Sequence, residues 1–529
     1  MLAFIPFALL LITPILMAGM QLLKAKFSYF WLVSLLTGFL AWILIFLLRL
    51  LLPIQLSLPP WGPAEFFPTS PAFNFDLSAW SVMLAVGTLL FSAILTDTVW
   101  VANLEGRSSD WIYWAFGMIL SAFCLLAIAS NNLLALTLTW AALDIAELVI
   151  YLAVSKNPGI NERIVIGYSA RIGSLLLVIL STAISFSTDN PGNLSELPPL
   201  ANLFLLLATG LRLGVLPFNT PFPKNLFSRR GIKVLIQLLP IAPCLIVLVR
   251  VANNGLTPPV VAWLLLFTGI SAVYVSAFWA ASRDKQITSS FWAIGMGGVI
   301  LASAIQAQPE ATLAWGVSLL LSGGLISLYT LHSRLLVPLL YVGLVTFTSL
   351  PFTPTWWGVL TFTPPWSFAL FLILVTHALL VAGYLRRIAR RRRVSHPSQG
   401  WVWLNYSIGL IILPATQFII PIWNVMASPE QSSFPPWTQA WIGLASISIA
   451  AIFLLIPWRK LGFLSPLSRA LQEVLSLAWL YRLLWRIYHA IRRATSLVSD
   501  ILEGPSGILW TLLLLTLVVS LLAQIRSGR

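Results

Sequence analysis

Long runs of apolar residues alternate with short polar loops along almost the whole chain of 529 residues. About 20 consecutive apolar residues cross the hydrocarbon core of a bilayer as a helix. In lipid, only helices and closed barrels satisfy all of their own backbone polar groups. The runs therefore predict an all-α polytopic membrane protein with about sixteen transmembrane helices. These are expected to begin near residues 2, 29, 78, 111, 132, 163, 200, 234, 259, 287, 311, 336, 366, 402, 437 and 507.

One segment between the last two apolar runs has a different pattern. From 466 to 502, apolar residues recur at helical spacing and charged residues fall largely between them. Such an amphipathic helix lies along a membrane surface, and at about 1.5 Å per residue it would extend roughly 55 Å. We therefore expect a transmembrane bundle of about fifteen helices at 1–457, a lateral helix at 458–505 and a C-terminal transmembrane anchor at 506–529.

Composition and the placement of charge agree with this architecture. The chain is 59% hydrophobic and 9% charged, whereas soluble proteins carry about 25% charged residues. Basic residues concentrate in the loops after odd-numbered spans, and this bias orients membrane proteins. It predicts that both termini are external, that the lateral helix is cytoplasmic, and that the net charge of +15 reflects topology rather than nucleic-acid binding. The expected location is a prokaryotic cytoplasmic (inner) membrane or an energy-transducing internal membrane.

Cofactor chemistry is not indicated by the sequence. Cys124 and Cys244 both fall inside apolar spans and form no disulfide framework or metal motif. No CxxC cluster, no GxGxxG after a strand and no paired histidines suited to haem stand out. We expect no cofactor, no metal site and no catalytic residue in this chain.

Ionisable residues at membrane depth are costly, and each suggests a function. Asp144 and Glu147 lie three residues apart in the fifth span and share one helix face. Arg212 lies in the seventh span, and Lys233 and Gln237 open the eighth. A buried carboxylate that faces a buried cation can pass a proton, or it can fix helix packing, and both interpretations stay open. Weaker candidates for the same path are Arg171, Lys224, Asp284, Lys285 and His377.

The stretch 210–250, GLRLGVLPFNTPFPKNLFSRRGIKVLIQLLPIAPCLIVLVR, resembles the proton-translocating, antiporter-like subunits of respiratory complex I and their relatives. In that family a Lys precedes an FPFH-x-WLP turn, and PTPVS-x-L-x-H opens the next span. Here Arg212 falls at the Lys position and Asn219 at the first His, while Lys233 replaces the Ser and Gln237 the second His.

Further elements carry the same resemblance. They are RDKQITSSFWAIGMGGVIL, SLPFTPTWWGVL and the final anchor LEGPSGILWTLLLLTLVVSLL. Together with the lateral helix they resemble the longest members of the family. The resemblance implies an inverted-repeat fold and a non-redox subunit of a translocating NAD(P)H- or ferredoxin-quinone oxidoreductase. Electron transfer would then belong to other subunits.

The chain departs from the family at the residues that carry protons. A Glu that directly follows a Trp in the fifth span pairs with the Lys in the family. Here Trp140 is followed by Ala141, and Asp144 lies one turn on. Arg212 replaces the Lys, and arginine effectively cannot release its proton. In the second half, Leu360 falls near an expected Lys. The series of titratable residues that the family carries is therefore incomplete in this chain.

Three functions remain open. The first is a membrane-arm subunit of a complex I-like oxidoreductase that takes part in proton translocation coupled to electron transfer to quinone. The second is a structural paralogue without conduction, and the third is the membrane subunit of a two-component inorganic-carbon uptake system. An independent secondary transporter has little use for a lateral helix. The expected partners are other membrane subunits clamped by that helix, together with lipid and protons.

Overall fold

Apolar runs become long helices throughout the part of the chain that the computed structural model describes. The described residues are 2–24, 27–59, 69–99, 111–154, 158–188, 190, 192–217, 229–281, 285–331, 333–389, 400–427, 434–455, 482–483, 485–490, 492–493, 495–496, 512–518 and 520. The chain divides into two compact units, Met1–Leu475 and Ser476–Arg529. The sequence-based divisions near 458 and 506 stay predictions.

The described part of the first unit contains sixteen α-helices. They are α1 Ile5–Leu22, α2 Phe27–Leu48, α3 Leu77–Thr96, α4 Trp111–Ala129, α5 Leu133–Val154, α6 Pro158–Ser187, α7 Pro199–Leu213, α8 Arg230–Leu238, α9 Ala242–Asn254, α10 Pro258–Ala281, α11 Lys285–Ile305, α12 Pro309–Leu328, α13 Val337–Val345, α14 Phe368–Ala389, α15 Gly400–Ala427 and α16 Ala440–Leu455. Strands β1 (Ile54–Ser57) and β2 (Ala72–Phe75) form an antiparallel pair in which Ile54 lies opposite Phe75.

Twelve helical stretches of the described chain are long and apolar enough to cross a membrane. The chain is thus a multi-pass helical membrane protein, as the hydrophobic pattern predicts. The full count of sixteen spans stays a prediction, because most of the last span and of the lateral helix falls outside the described residues. Within the second unit, the described residues of 482–496 and 512–518 are helical.

Two predicted spans are interrupted in the structure. The seventh ends early because Gly214 adopts a left-handed conformation (φ 77°), and its N–H bonds to the carbonyl oxygens of Gly210 and Leu211. At about 22 Å, α7 is shorter than the roughly 30 Å hydrocarbon core. The twelfth is divided into α13 and a 3-10 helix at Trp356–Phe362. Non-helical backbone at membrane depth occurs where it is enclosed by protein, and it often marks a transport site.

Helices α5, α6 and α7 pack consecutively against one another. The outer surface of α6 is exposed through apolar residues such as Ile172, Leu176 and Ile179. Because lipid favours that apolar face, the polar residues of α6 turn inward toward α5. Helix α3 is buried throughout and packs against α2, α12 and α15 at the centre of the unit.

Candidate functional site

Four charged side chains meet where α5, α6 and α7 pack together, and we call them the four-charge cluster. Two carboxylates come from α5, one guanidinium comes from α6 and one comes from α7. Their exposed fractions are 7% for Asp144, 2% for Glu147, 3% for Arg171 and 1% for Arg212. Because each charge has lost nearly all of its water, the cluster depends on internal partners.

Arg212 and Asp144 form a two-pronged pair across α7 and α5. The Arg212 NH1 group donates to Asp144 Oδ2 at 2.9 Å, and its NH2 group donates to Asp144 Oδ1. The guanidinium also lies over the Trp140 ring, 4.5 Å from the ring centroid. Parallel hydrogen bonds and stacking on an aromatic face both suit arginine better than lysine. The pair therefore links α7 to α5 through their side chains.

Glu147 has a looser partner one turn further along α5. Arg171 NH2 lies 3.3 Å from Glu147 Oε2. Neither of these atoms, nor Arg171 NH1, has a well-oriented hydrogen bond to a described residue. A buried polar atom without such a bond is unusual and calls for an explanation. Glu147 is therefore the less constrained of the two carboxylates.

Two tyrosines border the cluster. Tyr168 on α6 donates its hydroxyl to the backbone carbonyl oxygen of Asp144. Tyr151, one turn beyond Glu147, is buried on α5. The cluster thus contains two carboxylates, a titratable type of group, and two guanidiniums, which effectively cannot be deprotonated in proteins.

The structure brings together four of the ten sequence-predicted path residues: Asp144, Glu147, Arg171 and Arg212. Lys233 and Gln237 lie on α8, which packs against α3, α4 and α12 rather than forming the cluster. Lys233 is half-buried and Gln237 is buried. Lys224 and Asp284 lie outside the described residues, and Lys285 is described only as the first residue of α11.

His377, on α14, lies at the second helix interruption. Its Nε2 atom donates to the Phe347 carbonyl oxygen at 2.9 Å, because a carbonyl can only accept. Its imidazole ring packs edge-to-face against the Trp315 ring, with the two ring centroids 4.9 Å apart. Nearby, Ser322 donates to Gln417 Oε1 at 3.0 Å. The described contacts of this interruption are thus made by hydroxyl, amide and imidazole groups.

A further buried acid, Asp97, was not among the candidates from the sequence. Asp97 follows the last residue of α3 and is 4% exposed. The Trp114 indole N–H donates to Asp97 Oδ2 at 3.2 Å. Arg229 lies about equally close to the Tyr113 and Trp114 rings, at 5.2 Å and 5.3 Å from their centroids. A Cβ atom on Gly231 would approach Asp97 Oδ1 to 2.7 Å, so only glycine allows this contact. The signal in the sequence that could have identified Asp97 is an acidic residue directly after a long apolar run.

Burial raises the pKa of Asp97 to about 6, and the nearby Arg229 charge opposes that rise. The folded state therefore holds this proton more tightly than the unfolded chain, so stability falls as pH rises through this range. We expect the free energy of unfolding to drop by about 1 kcal/mol between about pH 5 and about pH 7.5 through this group. Asp97→Asn should remove that component. Denaturant titrations of the detergent-solubilised chain at several pH values measure it.

The exposed acid Glu196 provides the control for that experiment. Glu196→Gln should leave the pH dependence of stability as in the unsubstituted chain. An Asp97→Asn variant with the same pH slope as Glu196→Gln would show that Asp97 is not the titrating group.

Metal chemistry has no support in the described part of the chain. No group of three or more His, Cys, Asp or Glu residues suited to a metal ion is found among the described residues. Cys124 and Cys244 are buried and carry free thiols.

Comparison with known proteins rests on structure. No protein-family model matches the chain. A search of curated proteins finds no significant match. Among solved structures, a chain of the Mrp complex from Dietzia sp. superimposes with a TM-score of 0.68 at 12% identity. That alignment covers 99% of this chain and 62% of the Mrp chain, so this chain spans less than two thirds of that protein.

Two other solved structures are similar. A chain of the membrane-bound sulfane sulfur reductase, an archaeal respiratory membrane complex, gives a TM-score of 0.64 at 15% identity, covering 98% of this chain and 99% of that one. A chain of respiratory complex I from Thermus thermophilus gives a TM-score of 0.51 at 16% identity, and the alignment covers 85% of this chain and 97% of that one. This chain therefore has the antiporter-like fold of complex I-type membrane subunits.

Proposed function

We propose that this chain is a membrane-arm subunit of a complex I-like oxidoreductase and takes part in proton translocation coupled to electron transfer to quinone. The observation that carries the proposal is the four-charge cluster beside α7, a helix too short to cross the membrane. Buried charges at membrane depth and discontinuous helices are both typical of ion paths. The similar solved chains belong to an Mrp complex, a sulfane sulfur reductase and complex I, which supports a role within a multi-subunit assembly.

Glu147 is the residue that we propose to exchange the proton. Asp144 is held by two hydrogen bonds from Arg212, whereas the one charged group of the described residues that approaches Glu147 within 4 Å is Arg171, at 3.3 Å. When Glu147 accepts a proton, Arg171 loses its counter-charge and is drawn toward Asp144, the remaining anion of the cluster. When Glu147 releases the proton, the original pairing returns. The arginines thus bias and position the carboxylates but carry no proton themselves.

A structural paralogue without conduction is the second candidate. Two observations favour it: Arg212 takes the place of a titratable lysine, and hydroxyl, amide and imidazole groups make the described contacts of the second interruption. In either case we propose that electron transfer and its cofactors reside in other subunits. We also propose that the lateral helix joins this chain to them on the cytoplasmic side.

Proton pumping by the intact complex in proteoliposomes separates the two candidates. Glu147→Gln, which keeps the shape of the side chain, is expected to lower the protons moved per electron through this subunit about tenfold or more. Assembly of the complex, followed on native gels, should be unchanged. Glu196→Gln, an exposed acid of the same type, should leave both quantities unchanged.

The double variant Asp144→Asn/Glu147→Gln removes both acids of the cluster. If the assembled complex still pumps at the unsubstituted stoichiometry, the scaffold interpretation is correct and conduction through this chain is excluded.

A further inference from the structure

A cavity of about 330 Å³ opens among α3, α9, α12, α15 and the segment before the 3-10 helix. Its walls are mostly apolar, formed by residues that include Leu77, Val249, Leu313, Val317 and Ile420. Cavities of this size and character, with a few polar groups, are typical of small-molecule sites. None of the four-charge cluster residues lines this cavity.

The polar groups of the cavity form a consistent set. Glu310, in the first turn of α12, is the only ionisable side chain among the described lining residues. Asn253, Gln417 and Asn424 contribute amides, and Trp357 contributes an indole ring. These groups present oxygen atoms, one negative charge and an aromatic surface to whatever enters.

Asn424 provides an additional hydrogen-bond acceptor. Its Nδ2 group donates to Ser81 at 3.3 Å, but its Oδ1 atom is buried and has no hydrogen-bond partner among the described residues. The nearest basic residue on α9, Arg250, is already paired with Asp76. The charge of Glu310 is therefore not offset by Arg250.

We propose that this cavity binds an amphipathic organic cation, with an ammonium group at Glu310 and Trp357 and an apolar body along α12 and α15. Glu310 and Trp357 line the same cavity, and a carboxylate attracts an ammonium group through charge while an indole attracts it through the face of its ring. The apolar walls accept a hydrocarbon body, and the buried Asn424 oxygen suits a ligand N–H or polarised C–H group. An anion of the same size is repelled by Glu310, and an acyl chain leaves Glu310 and the amides without partners. This inference does not depend on proton translocation.

Calorimetric titration of the full chain in lipid nanodiscs tests the proposal, with empty nanodiscs as the blank. The probes are benzyltrimethylammonium and phenylmethanesulfonate, which share an aromatic body and differ in the sign of their charge. We expect saturable binding of the cation and none of the anion. Glu310→Gln should weaken cation binding about tenfold or more, and Trp357→Leu about fivefold.

Two further variants complete the test. Ala314→Leu places a larger apolar side chain on the cavity wall, because Ala314 lines it, and should abolish binding without changing any charge. Glu196→Gln, at an exposed position that is not among the lining residues, should bind as the unsubstituted chain does. Equal binding of the two probes, or unchanged affinity in both Glu310→Gln and Ala314→Leu, overturns the proposal in favour of a cavity that takes only water or lipid.

Discussion

Arg212→Ala is expected to lower the free energy of unfolding by about 3 to 5 kcal/mol, because it leaves the carboxylate of Asp144 buried without its partner. Both guanidinium hydrogen bonds to Asp144 and the contact with the Trp140 ring are lost in this variant. Equilibrium unfolding of the purified chain in mixed micelles, followed by tryptophan fluorescence, measures the change.

Arg250→Ala is the matched control, since it breaks an ion pair of the same type with Asp76 nearer the surface. The Arg250 and Asp76 side chains are 11% and 24% exposed, against 0% and 11% for Arg212 and Asp144. A loss of about 1 kcal/mol is expected there because water compensates the remaining charge. Asp144→Asn combined with Arg212→Ala should recover part of the larger loss. Equal losses in the two single alanine variants would contradict a desolvated pair.

Loss of the apolar surface on the second unit is expected to separate this chain from its partner subunits. Leu483 and Ile487 lie four residues apart, and both are exposed within that unit. Deletion of residues 466–529 should leave an insertable membrane bundle but no assembled complex. Leu483→Gln combined with Ile487→Gln should also weaken assembly of the complex. Co-purification of tagged complex subunits measures both effects.

The control for this experiment uses the neighbouring basic positions. Arg482→Gln combined with Arg486→Gln changes two residues at the same spacing without removing apolar surface, and it should leave assembly largely intact. A complex that survives the deletion of 466–529 would show that other surfaces of this chain hold it to its partner subunits.

Much of the fold follows from local pattern. A run of apolar residues forms a helix in lipid whatever its neighbours are, so the starts of the described spans lie close to the predicted positions. The places where predicted spans end early or divide could not be predicted from the apolar pattern alone. Gly214 ends α7 by a left-handed turn, whereas the division after α13 depends on contacts such as the Thr355 hydroxyl donating to the Thr346 carbonyl oxygen at 3.0 Å.

The site was partly predictable for the same reason. Helical spacing places Asp144 and Glu147 on one face, and two buried carboxylates need buried cations. Spacing does not say which helix supplies each cation. Arg171, a weaker candidate in the sequence, is the partner of Glu147 because the apolar outer surface of α6 turns it inward. The electrostatic interaction of Asp97 with Arg229 joins residues that no periodicity relates.

The charges of the four-charge cluster, counted in their ionised forms, add up to zero. An electric field exerts no net force on two carboxylates and two guanidiniums that stay together. A proton on Glu147 changes the sum to plus one, and moving one elementary charge across 100 mV is equivalent to about 2.3 kcal/mol. If Glu147 exchanges a proton as we propose, the cluster carries a net charge only while Glu147 is protonated, and each such step moves a single charge through the membrane potential.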